Sequence, residues 1–137
     1  MRTPVTAALV THWIYDGSAA RLMAGVRAEA RARQRLLSQL LGGHPGTAHM
    51  SRQGVHHWHP LPSYWTAAAF AAAARREGLA VTPAGAFRPV ATEGNDAPNA
   101  IRISLGEGAD RARLGRALKR LSELLAQPPR GEEGLVV

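Results

Sequence analysis

Histidine dominates the reactive side chains of this 137-residue chain, which has six histidines, one lysine (Lys119) and no cysteine. Without thiols, disulfides, zinc–thiolate sites and cysteine nucleophiles are excluded. Three of the histidines, His56, His57 and His59, crowd into GVHHWHPLP at residues 54–62. On an extended strand His57 and His59 share one side, and His56 shares the other with Trp58. Two imidazoles at this spacing are able to share a metal, but a site needs a third ligand. His44 and His49, in the preceding segment, are the candidates for it. The simpler arrangement, and the one expected, puts Trp58 in the core and His57 and His59 on a wetter face, with no metal bound.

Other catalytic chemistry is sparse. There is no G-x-S-x-G elbow, and no serine has a histidine and a carboxylate at a recognisable spacing. Gly106-Glu107-Gly108 lacks the third glycine of a dinucleotide loop, and no P-loop is present. Lys119 would form a Schiff base only if desolvated. Between Leu118 and Arg120 it reads as a surface residue. No catalytic, cofactor-binding or metal-ligating residue is therefore assigned.

Arg102 is different. In NAIRISLG, residues 99–106, the apolar Ile101, Ile103 and Leu105 alternate with Arg102 and Ser104. That pattern turns the apolar set toward a core and the arginine toward the opposite face. A guanidinium is a rigid fork of donors that matches a carboxylate bidentately and stays charged. In open solvent such a group means little; covered by another domain, it becomes an anion receptor.

The elements that position these residues follow from capping and periodicity. Thr3-Pro4 starts a helix carrying Val5, Leu9 and Trp13, and Asp16-Gly17 stops it. Ser18 is expected to cap a long helix running to Leu41, with an apolar stripe of Leu22, Val26, Ala30, Leu37 and Leu41. Arg27, Arg31 and Arg35 line another face, where Glu29 can pair with Arg33. Residues 44–52 read as loop and residues 54–62 as a strand. Ser63 is expected to cap an alanine-rich helix closed by Gly78. Short strands are expected at 79–81 and 86–90, a loop at 91–99, then the strand at 101–105. A last helix begins near Asp110, with Leu114, Leu118, Leu121 and Leu125 on one face. This order predicts an α+β fold with helices packed on one face of a small sheet.

Composition sets the outer bounds. The 45% hydrophobic content argues against general disorder, and the length suits one domain with a real core. The apolar runs fall short of the roughly 20 residues a membrane helix needs. No basic segment followed by an apolar core opens the chain, so a cytoplasmic protein is expected. The net charge of +7 permits nucleic-acid binding. No helix-turn-helix, zinc module or basic coiled coil accompanies it, however, and the arginine stripe has the form of a solvated helix face.

Taken in order, TPVTAALVTHWIYDG, RLMAGVRAEARARQRLL, GVHHWHPLP, GLAVTPAGAF (a G-[LV]-x-V-x-P-x-x-x-F arrangement) and IRISLG resemble the C-terminal part of a MocR-type GntR transcriptional regulator. Such regulators join a winged helix-turn-helix to a domain similar to fold-type I, aspartate-aminotransferase-like enzymes. The resemblance covers about residues 3–126. It implies the C-terminal small domain of that architecture, residues 1–126 with a linking helix at about 18–41, and a disordered tail at 127–137. It further implies that Arg102 grips the carboxylate of an amino-acid ligand.

The large domain, its aldimine lysine and the winged helix are not in this chain, which reads as a piece of a larger protein. Pyridoxal phosphate is accordingly expected in the full-length parent and not on this fragment. DNA would be reached only through the winged helix, and the parent is expected to be a homodimer. The histidine-rich strand departs from the more apolar strand of relatives. Two alternatives stand beside this reading: the small domain of a genuine class I/II aminotransferase, and a basic nucleic-acid-binding protein.

Overall fold

The computed structural model describes residues 4–42, 54–87, 97–107 and 110–129. The expected loop at 44–52, with His44 and His49, lies outside them, as do residues 91–96 of the expected loop at 91–99 and residues 130–137. The elements are α1 (Pro4–Tyr15), α2 (Ser18–Leu41), β1 (His56–Pro60), α3 (Ala67–Arg76), β2 (Thr82–Pro83), a 3-10 turn (Ala84–Phe87), β3 (Ala100–Ser104) and α4 (Arg111–Leu125). The result is a small α+β fold with a three-stranded antiparallel sheet of order β1-β3-β2.

Alternation in β3 organises the core. Ile101, Ile103 and the following Leu105 are buried and join Leu37 and Leu41 of α2, Phe70 and Ala74 of α3, and the four buried leucines of α4. Asp110 caps α4 by accepting the Arg113 amide at 2.6 Å, and Leu114, Leu118, Leu121 and Leu125 then recur on its inner face. Glu29 ties α2 to α4. Its carboxylate takes the Arg33 Nε at 2.8 Å and the Arg111 Nη2 at 2.6 Å. These two guanidiniums, Arg111 foremost, hold its pKa down at about 2. Arg33 also donates to the Leu105 carbonyl at 2.7 Å, fixing the end of β3 against α2.

Only the second half of α2 packs: Ala30, Gln34, Leu37 and Leu41 are buried, whereas Leu22, Met23 and Val26 are exposed. None of the residues of α1 is buried, and Val5, Trp13 and Ile14 face outward. The expected apolar stripe therefore runs beyond the core onto a surface that the described residues leave exposed. The expected Ser18 cap is also revised. Gly17, at φ 77°, is the capping residue, and the Asp16 carboxylate accepts the Ser18 amide at 2.8 Å.

Three other boundaries moved. Thr66, not Ser63, caps α3, its hydroxyl accepting from the Ala69 amide at 3.2 Å. The delay arises because Trp65 is buried edge-on against Phe70 and donates its indole N–H to the Gln127 carbonyl at 2.9 Å. Gln127, expected in a disordered tail, is thus held. The α3 C-terminus closes on Gly78 (φ 74°), with Gly78 N–H to Arg75 O and Leu79 N–H to Ala74 O. That turn displaces the expected strand at 79–81 to Thr82–Pro83. The expected strand at 86–90 is replaced, over its described part, by the 3-10 turn ending at Phe87.

Candidate functional site

β3 is the central strand, and Arg102 is its middle residue. Trp58 of β1 lies directly opposite it on one side and Thr82 of β2 on the other. Because Ile101 and Ile103 enter the core, Arg102 projects from the other face of the sheet, together with Trp58, His56 and Ser104. It is half-buried. Its guanidinium carbon stands 4.4 Å from the centre of the Phe87 ring, and Phe87 meets Trp58 edge to face at 5.2 Å and 82°.

One donor of Arg102 is unmatched among the described residues. Its Nε is closed off from solvent without a hydrogen-bond partner. Among the described residues no carboxylate pairs with this guanidinium, whereas Arg33, Arg111 and Arg120 all have one. Withdrawing a cation from water without an anion is costly, so a half-buried unpaired arginine is poised to take one. The arrangement suits a planar oxyanion brought to this face.

The histidine cluster is inverted relative to expectation. His57 and His59 are buried, at 7% and 0% exposure, with ring centres 5.9 Å apart, while Trp58 turns outward to Phe87. The cause is register: His57 and His59 pair with Ile103 and Ile101, which carries both imidazoles to the core face. His57 Nε2 has no partner there, and burial pushes its pKa down, keeping the ring neutral. His56 remains exposed. No group of three or more histidine or acidic side chains able to hold a metal occurs among the described residues.

Lys119 is exposed on α4, a helix packed on the side of the sheet opposite Arg102. Arg27, Arg31 and Arg35 are likewise exposed along α2. Among the described residues no helix is long and apolar enough to cross a membrane. The alternation of β3 gives the facing of Arg102 but not its aromatic neighbours. Residue type favours Trp58 in the core and Phe87 in a strand, and the signal for Phe87 in the sequence is its place at the end of GLAVTPAGAF.

No family model matches the chain, and no curated protein matches it. Among solved structures, the crystal structure of an archaeal alanine:glyoxylate aminotransferase matches with a TM-score of 0.62 at 20% identity. The likeness is one of fold. It covers 84% of this chain but only 28% of that one, so this chain spans well under a third of the length of the structure it matches. The expected aminotransferase-like architecture is supported at that level, and the match says nothing of MocR or GntR regulators.

Proposed function

We propose that this chain is the C-terminal small domain of a pyridoxal-phosphate-dependent, aminotransferase-like protein, in which Arg102 binds the carboxylate of an amino-acid ligand. The observation that carries the reading is the half-buried guanidinium of Arg102, central in the sheet, facing away from the core and unpaired among the described residues. The fold likeness to a fraction of an aminotransferase supports it. So does the uncovered apolar surface of α1 and the first half of α2, which fits an absent neighbouring domain.

Pyridoxal phosphate itself does not fit the described residues of this chain. Lys119, the chain's only lysine, is exposed on α4 and lies across the sheet from Arg102. The cofactor therefore belongs, in this reading, to an N-terminal large domain of the parent. The parent is a MocR-type GntR regulator that dimerises and reaches DNA through a winged helix. A genuine aminotransferase is the second reading, favoured by the alanine:glyoxylate aminotransferase likeness.

The test is Arg102→Lys in the full-length parent, with amino-acid binding measured by calorimetry. An ammonium cannot reproduce the bidentate fork, so affinity should fall about tenfold or more. Unchanged affinity would refute the role given to Arg102.

A further inference from the structure

We infer that Phe87, propped by Trp58, is a positioning residue that holds the Arg102 guanidinium so that its two terminal Nη groups meet an incoming carboxylate. This deepens, and rests on, the reading of Arg102 as a carboxylate receptor. A guanidinium offers two bidentate edges, one pairing Nε with an Nη and one pairing both Nη groups. Elsewhere in the molecule Arg111 uses the first edge, with Nε 3.1 Å and Nη2 2.6 Å from Glu29 Oε2. At Arg102 that edge is shut, because Nε is buried without an acceptor. Neither Nη group is among the buried unpartnered atoms of the described residues, which leaves the end-on approach.

Phe87 explains why the guanidinium stays in this orientation. Its ring lies 4.4 Å from the guanidinium carbon, well within the roughly 6 Å reach of a cation–π contact. Trp58, at 5.2 Å and 82°, sets the plane of the Phe87 ring by an edge-to-face contact. Both aromatics are anchored by the sheet that carries Arg102. Trp58 is its cross-strand partner, and Phe87 ends the 3-10 turn that follows β2, whose Thr82 is its other partner. Among the described residues the guanidinium is thus held against a ring and not by a carboxylate, which keeps its charge available for a ligand. A carboxylate in the same position would neutralise it.

The experiment uses the 137-residue chain and proton–nitrogen correlation spectra of the arginine side chains, with sodium acetate as the anion probe. In the wild type the Arg102 Nε–H signal should be displaced by the Phe87 ring current and exchange slowly. Acetate should then perturb the Nη groups more than Nε. Phe87→Leu should move the Nε–H signal toward that of exposed arginines such as Arg116 and weaken acetate binding about 2–5-fold. Phe87→Tyr should restore both. Phe87 is 45% exposed, so the leucine variant should keep its wild-type circular dichroism and separate positioning from folding. An Arg102 signal unchanged in Phe87→Leu, or acetate binding undiminished there, would overturn the proposal while leaving the receptor reading intact. Acetate that moves no Arg102 signal in the wild type would overturn the receptor reading, and the positioning role with it.

Discussion

Replacing Arg102 by leucine should make the isolated chain more stable, which is the reverse of what a structural arginine would do. The magnitude follows from two opposing terms. The Arg102 Nε is buried without a partner, and leaving such a donor unmatched costs about 1–3 kcal/mol. Against this, the contact with Phe87 contributes about 0.5–1 kcal/mol, which leucine forfeits. Leucine brings no donor to the position between Trp58 and Thr82, so the net gain should be about 1 kcal/mol. In a chain of this size that raises the melting temperature by about 3–5 °C. Urea unfolding followed by tryptophan fluorescence, with melting by circular dichroism, measures both quantities. A loss of about 1 kcal/mol or more in Arg102→Leu would show that the guanidinium is part of the scaffold and that its buried Nε carries no net cost.

Further outcomes follow from the core and from the charged groups. Leu118→Ala, at a fully buried α4 position, should cost about 2–5 kcal/mol in urea unfolding. His57 binds a proton less readily when folded than when unfolded, so below pH 6.5 the unfolded chain takes up more protons and stability falls. The slope from this group is at most about 1.4 kcal/mol per pH unit, it ends below the folded-state pKa, and His57→Leu should remove it from stability curves recorded between pH 5 and 8. Glu29 acts over a lower range. Its contribution is present above pH 4.5 and lost as pH falls toward its folded value of about 2, so wild type and Glu29→Gln should differ in melting temperature at pH 7 and converge near pH 2.

The parts of the fold legible in the sequence are those where one physical signal acts alone. The alternation of Ile101, Ile103 and Leu105 placed Arg102 on the outer face because a period of two leaves no other option. Asp110 and the four leucines behind it specified α4 for the same reason. Legibility ended where two placements satisfied the same pattern. HHWH alternates equally well with either face inward, and residue type favoured Trp58 inside; only pairing with Ile101 and Ile103 decides the matter. Ser63 and Thr66 are both able to cap a helix, and burial of Trp65 selects the second. The run AGAF is too short to show a period, which hid the turn that brings Phe87 to Arg102. Helical spacing in α1 reported an apolar stripe but not whether its partner surface belongs to this chain.

The carboxylate recognition proposed for Arg102 is measured most directly by a ligand-by-residue cycle. In the full-length parent, binding of L-alanine and of L-alaninamide would be compared for wild type and Arg102→Gln. The wild type should prefer the acid by about tenfold or more, and Arg102→Gln should erase that preference by weakening the acid alone. Equal loss for both ligands, or a preference that survives the substitution, would contradict the assignment of Arg102 to the carboxylate.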